Sequence, residues 1–200
     1  MTPTGDIVAI PSKCSLMGNR GRLSDDCGRI VRPWRLKRWI SCTMDEVFGT
    51  RVRLDDPFGY TPLFFTDEAV ALAAGHRPCG MCRPDDFNRF VLAWKRLRGI
   101  SSYQRVSATE IDADLHSARI RGRLFNSTMS AEELPKGSFA SVPFLEFQPA
   151  LIWGEAMSIW NNGLYEPPRP HFGAEVIPLF GHELLRAGFR FRNKFCPRAD

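Results

Sequence analysis

The residues of this chain best suited to chemistry lie together in Gly75-His76-Arg77-Pro78-Cys79-Gly80-Met81-Cys82-Arg83-Pro84. Two thiols three positions apart on a tight turn can reach one metal ion, the spacing that structural zinc sites use. The Gly and Pro residues around them supply the turn. The pair is only half of a tetrahedral shell, so a redox dithiol or two incidental thiols stand beside the metal reading. His76, three residues before Cys79, is the first candidate for a further ligand. A helix-end histidine packed into the core is the competing reading.

Two other constellations have the right residue types. Asp112, His116 and Arg119 fall at i, i+4 and i+7 of a predicted helix and so share a face. A carboxylate beside an imidazole fixes a tautomer for acid–base work or metal binding, although an ordinary solvated ion pair uses the same residues. The net charge of +5 is uneven: residues 1–100 hold 16 Lys/Arg against 11 Asp/Glu, and residues 101–200 hold 11 of each. Its densest part runs from Arg29 to Trp39. There Arg32, Arg35, Lys37 and Arg38 surround Trp34 with no acid between them. Cations neutralise phosphates and an indole offers a stacking face, so this stretch is the candidate nucleic-acid contact. A solvated strand with core tryptophans beneath it is the alternative.

The elements that must position these groups follow from periodicity and punctuation. Residues 6–54 read as short strands at Asp6–Ile10, Arg29–Val31, Trp39–Met44 and Arg51–Leu54. Thr66 is placed to cap a helix that Gly75 ends, and Pro84 opens a longer one reaching Arg98. Ser107-Ala108-Thr109-Glu110 is a capping-box pattern for a third helix, with Gly122 as its stop. Residues 126–138 turn polar and read as a linker. Short β-type runs follow at Phe139–Val142, Phe144–Phe147, Leu151–Trp153 and Met157–Trp160, then a turn at Asn161-Asn162-Gly163. A weak internal echo pairs Pro62-Leu63-Phe64…Gly75-His76-Arg77 with Pro178-Leu179-Phe180…Gly188-Phe189-Arg190. The expected fold is α+β: a small antiparallel sheet with three helices around the cysteine knuckle over 1–125, the linker, and a smaller β-rich C-terminal lobe over 139–200.

From Leu63-Phe64-Phe65-Thr66-Asp67-Glu68-Ala69 through Pro78-Cys79 to Cys82-Arg83-Pro84, the chain resembles the second half of the Ada-type zinc domain of bacterial DNA alkylation repair. The Met17-Gly18-Asn19-Arg20-Gly21 and Leu115-His116 stretches are similar to those of uncharacterised bacterial proteins, which implies no activity. The Ada resemblance implies zinc, a DNA rather than RNA partner, and an upstream cysteine ligand, which Cys42 matches. The family places a second cysteine four residues before that position, where this chain has Arg38, so the resemblance does not extend to alkyl transfer.

Several chemistries lack their residues. A zinc nucleobase deaminase needs a His-x-Glu or Cys-x-Glu upstream of its Pro-Cys-x-x-Cys, and none of Cys14, Cys27 or Cys42 is followed by Glu two positions on. A thioredoxin-like pair opens a helix after a strand, whereas a helix precedes this one. His182-Glu183 lacks the second His of a zinc-protease helix, and no glycine-rich phosphate loop occurs. With 44% hydrophobic and 24% charged residues the 200-residue chain is of globular composition, without a membrane-length apolar run. The first ten residues lack a signal-peptide pattern, so the six cysteines read as free thiols plus metal in a cytoplasmic protein. The expectation is a zinc-stabilised nucleic-acid-binding protein related to DNA repair or processing. The alternative is an enzyme acting on a nucleic-acid or phosphate-bearing substrate through Asp112, His116 and Arg119.

Overall fold

The apolar runs on either side of the knuckle form two sheets. The computed structural model describes residues 1–45, 59–124 and 127–192. The first sheet contains β1 (Leu16–Asn19), β2 (Ile40–Thr43), β3 (Leu63–Phe65) and β4 (Arg77–Pro78), in the order β3-β1-β2-β4. β1 pairs antiparallel with β2 and β3, but β4 runs parallel to β2, so the sheet is mixed where an antiparallel one was expected. The reason is α1 (Glu68–Ala73), a crossover helix that returns the chain in the same direction. Asp67, not Thr66, caps that helix, its carboxylate accepting from the Val70 amide at 2.9 Å.

Next come α2 (Pro84–Leu97) and α3 (Ala108–Leu124). Pro84 opens α2 as expected, and Phe90 and Trp94 bury its apolar face. The capping box of α3 is formed: the Ser107 amide donates to Glu110 at 2.7 Å, and the Glu110 amide to Ser107 Oγ at 3.2 Å. The helix passes Gly122, since a single glycine costs only about 1 kcal/mol and does not stop it.

The second sheet has seven strands among the described residues, so the C-terminal region holds the larger sheet rather than a smaller lobe. These are β5 (Met129–Ser130), β6 (Ser138–Val142), β7 (Gln148–Trp153), β8 (Ala156–Asn161), β9 (Leu164–Tyr165), β10 (Arg169–Pro170) and β11 (Glu175–Pro178). All their pairings are antiparallel, and α4 (His182–Arg186) follows, so the described residues hold four helices where three were expected. The expected linker contains β5 and a 3-10 turn at Ala131–Glu133, because a polar segment can still complete a sheet edge through its backbone. Phe144–Phe147 is not a strand; a 3-10 turn at Pro143–Leu145 joins β6 to β7. Asp6–Ile10 has no regular structure, and Arg29–Val31 contributes only an isolated bridge between Ser24 and Ile30. The expected strand at Arg51–Leu54 lies outside the described residues.

One apolar cluster takes Leu16, Leu63, Phe65 and Val70 from the first sheet and α1, and Phe139, Leu151 and Trp160 from the second. Tyr165 Oη adds a 2.8 Å hydrogen bond to Asp67 across the same junction. A second cluster packs Phe90, Trp94, Ile111, Leu115 and Leu184 of α2, α3 and α4 with Phe189, which follows α4. The internal echo has a physical counterpart. After α1, the Gly75 amide donates to Leu72 O (2.8 Å) and the His76 amide to Ala71 O (2.9 Å). After α4, Gly188 donates to Leu185 O (3.1 Å) and Phe189 to Leu184 O (3.0 Å). Both helices end in the same Schellman motif, with a glycine at φ 87° and 102°.

Candidate metal centre

Cys42 lies within β2, Cys79 directly follows β4, and Cys82 directly precedes the N-cap of α2. Parallel pairing of β2 and β4 brings the first two together, and the Cys79 amide donates to Ser41 O at 3.0 Å. The turn closes when the Arg83 amide returns to Cys79 O at 3.0 Å. Gly80 lies over Phe87, where a Cβ would come within 3.1 Å of the ring. The three Sγ atoms lie within 4.8 Å of one another, each on a half-buried residue. Thiolates about 2.3 Å from a tetrahedral ion sit about 3.8 Å apart, so the cluster can close on a metal with little movement. Hydrogen bonds from Cys42 and then Cys82 favour the thiolate at Cys79, while the Cys42 proton is held above the ordinary thiol range by its bond to Cys79. Three soft sulfur donors suit a thiophilic ion and are poor ligands for magnesium or calcium.

The surroundings of the cluster are charged and tied together. Arg83 is buried and donates to Asp86 (2.9 Å), to Ser41 Oγ (3.1 Å) and to Glu68 of α1, while Arg89 reaches the other oxygen of Asp86. One guanidinium thus joins the starts of α1 and α2 to the strand that carries Cys42. Tyr60 also faces the site. Burial, and then the nearby Cys42, Cys79 and Cys82, push its phenol above the usual range, and its hydroxyl reaches Met17 Sδ at 3.9 Å. Arg83 could have been suspected from its place beside Cys82; nothing in the sequence marks Tyr60 or Glu68.

His76 does not join the thiols. It is 1% exposed, and its Nε2 accepts from Arg20 Nε at 3.2 Å. Its ring packs between Phe65 (4.6 Å) and Trp39 (5.6 Å). The Schellman turn points this residue back at the core, where Phe189 sits in the second copy. Burial, then the charges of Arg20 and Arg119, hold its pKa well below the usual value, so the ring is neutral.

The Asp112–His116–Arg119 face is likewise internal, at 4%, 7% and 5% exposure. Asp112 receives Arg77 bidentately at 2.8 and 2.7 Å, and Arg77 Nη1 donates to Pro78 O at 2.9 Å. This pair fastens α3 to the two residues before Cys79. His116 meets the edge of Trp34 at 4.5 Å, and burial, then Arg119 and Lys37, lower its pKa. Arg119 donates to Gly75 O (2.7 Å) and Lys37 O (3.1 Å) and lies over Trp39 at 4.7 Å.

Residues 31–38, for which a solvated strand was the alternative reading, are an irregular loop laid on α3. The amides of Arg35 and Leu36 both donate to Arg20 O at 3.0 Å, and the Arg20 side chain turns inward over Trp39 at 3.8 Å. Gly21, at φ 91°, permits this close approach, because a Cβ there would stand 3.0 Å from Leu36 and 3.1 Å from Arg35. Arg32, Arg35, Lys37 and Arg38 are exposed and Trp34 is half-buried. None of the four cations has an ion pair among the described residues. The candidate nucleic-acid contact and the candidate catalytic face are therefore stacked on one another. No helix among the described residues is long and apolar enough to cross a membrane. No family model, curated protein or solved structure matches the chain.

Proposed function

We propose that this is a zinc-stabilised nucleic-acid-binding protein, with Cys42, Cys79 and Cys82 as zinc ligands and the 32–38 loop as its contact to the phosphate backbone. The observation that carries the reading is the convergence of three thiols from two strands and a helix start within 4.8 Å. Beside it, Arg77 and Asp112 connect the Cys79 strand to the helix on which the unpaired cations of the loop rest. Zinc would supply no reaction here; it would fix β2, β4 and α2 so that the loop and its supporting helix keep one orientation. Side chains on an irregular loop need not alternate between two faces, so the four cations can engage one backbone together. Phosphate contacts of this kind are indifferent to sequence. DNA is the partner the Ada resemblance favours.

The enzyme alternative draws less support, because the Asp112 carboxylate is occupied by Arg77, and His116 lies under Trp34. The test has two arms on one preparation: elemental analysis after anaerobic purification, and binding to single- and double-stranded DNA and to RNA over a range of salt. About one zinc per chain, with an affinity for DNA that falls as salt rises, is the expected outcome. Metal-free protein, or binding indifferent to salt, would count against it.

A further inference from the structure

The stretch from Asp26 to Arg38 is exposed at every residue except Trp34. It begins in a hairpin turn. Ser24 and Ile30 form a bridge, the Asp25 amide donates to Arg29 O at 2.9 Å, and Asp25 Oδ1 accepts from the amides of Cys27 (3.0 Å) and Arg29 (2.9 Å). The segment that follows is fastened at three points. The Val31 amide donates to Leu23 O at 3.0 Å, Arg20 Nη1 to Pro33 O at 3.5 Å, and the Arg35 and Leu36 amides to Arg20 O at 3.0 Å. Asp25 and Asp26 are the only acids between Arg20 and Trp39, and they are paired with Arg29 and Arg22. No acid of this stretch is left for Arg32, Arg35, Lys37 or Arg38. Set against these cations is an apolar run: Ile30 and Val31 are 45% and 52% exposed, and Pro33 is exposed as well. A single exposed apolar side chain is ordinary, but three within four residues beside uncompensated cations make a joint apolar and basic surface.

We propose, on the phosphate-contact reading above, that Ile30, Val31 and Pro33 form a wedge that enters DNA at a base step while Arg32, Arg35, Lys37 and Arg38 hold the neighbouring phosphates. The preferred partner is then duplex DNA whose stacking is already broken by a bulge or a mismatch. Apolar side chains of this kind part base steps in proteins that kink DNA. Unstacking is costly in an intact duplex and least costly at an unpaired or mismatched base, so broken stacking is the feature selected. Phosphate contacts alone carry no such preference. The loop is held by backbone hydrogen bonds before DNA arrives, so little ordering is required on binding. A lipid surface suits it less. Interfacial anchors present a continuous apolar face, whereas here Arg32 interrupts the apolar run and Asp25 and Asp26 lie in its hairpin.

The test is fluorescence anisotropy with the full-length, metal-replete protein on labelled duplexes of one length: intact, with a central mismatch, and with a central bulge. Bulged DNA should bind at least about ten-fold more tightly than intact DNA, because part of its stacking is already lost. A fluorescent adenine analogue beside the mismatch should brighten on binding, as an unstacked base does. Ile30→Ser combined with Val31→Ser, both at exposed positions, should bring the bulged duplex down to the affinity of the intact one. Equal, salt-dependent affinity for intact and broken duplexes would overturn the wedge and leave the phosphate contact standing. No binding to any of the DNAs, or binding to anionic phosphatidylglycerol vesicles in their place, would overturn both. An undiminished preference for bulged DNA in the double variant, or an analogue whose emission does not change in the unaltered protein, would overturn the wedge.

Discussion

Around Cys42, Cys79 and Cys82 the donor atoms are half-buried and belong to strand ends and a turn, whereas Asp112, His116 and Arg119 are roofed over by the 31–38 loop. The difference lies in what each set of polar atoms faces. The thiols face one another and a few backbone amides, with no carboxylate or guanidinium among the described residues bonded to them, so they remain open to an ion. On α3, Asp112 is taken up by Arg77 and two nitrogens of Arg119 by carbonyls. The spacing that suggested an active face on α3 instead anchors the knuckle and carries the loop. A carboxylate and a histidine on one helical stripe thus say little about chemistry until the cover of that stripe is known.

The largest effect is expected at the thiols. Cys79→Ser, or a strong chelator, should abolish stoichiometric metal and lower stability more than any substitution on α3 or the loop. Zinc contributes about 10–16 kcal/mol to small fingers; the three apolar clusters of this chain should hold the loss below that. Urea unfolding with and without chelator measures it, and coincident curves would mean that no stabilising ion sits there. Asp112→Ala comes next, at about 3–5 kcal/mol, because it strands Arg77 as an unpaired buried charge. Since Arg77 and Pro78 directly precede Cys79, the same variant should weaken metal affinity by about 10–100-fold, as happens when a metal ligand is deprived of its supporting partner. Intact metal affinity in a destabilised Asp112→Ala protein would separate the two regions again.

Binding effects are smaller. Trp34→Ala should cost about 1–3 kcal/mol on single strands and much less on duplex, if the exposed part of its ring stacks on a base. Reversing Arg35 and Lys37 to Glu should weaken binding to all sequences alike. On duplex DNA it should also flatten the salt slope by about 0.9 for each phosphate that is no longer neutralised. An unchanged affinity would leave the loop as a cover for α3 and nothing more. The smallest effect is a titration. His76 is held neutral in the fold, so the unfolded chain takes up a proton near pH 6.5 that the folded chain refuses. Its contribution is complete above that pH and declines as pH falls toward the depressed folded value, by at most about 1.4 kcal/mol per pH unit. Stability measured from pH 7 to 5 should fall less steeply in His76→Gln, provided that variant folds.

What could be read from the sequence was local. The ends of α2, the capping box of α3, the glycine ends of α1 and α4 and the Asn162-Gly163 turn into β9 all depend on residues within a few positions of one another. The Cys79–Cys82 spacing is of that kind, and Cys42 follows from resemblance. Burial of His76 was legible only as one of two readings, and burial of the α3 face was not legible at all, because it depends on a loop whose Lys37 lies 82 positions before Arg119. Net charge gave no hint that Arg20 would be wholly buried while Arg32 and Arg35 stayed outside. The size of the C-terminal sheet was illegible for a related reason: β5, β9 and β10 are two residues each and exist only by pairing with longer strands.

The parallel register of β2 and β4 also sets an order of events. Cys79 and Cys82 are neighbours in any conformation, while Cys42 lies 37 positions before Cys79 and arrives only when that long crossover has closed. Closing such a loop, and pairing strands in parallel, are slow steps in folding. An ion present from the start can wait on the adjacent thiols of the unfolded chain and capture the third when β2 approaches. Refolding with metal in the buffer should therefore outpace refolding followed by metal addition, and the lead should vanish in Cys82→Ser, where no two thiols wait side by side.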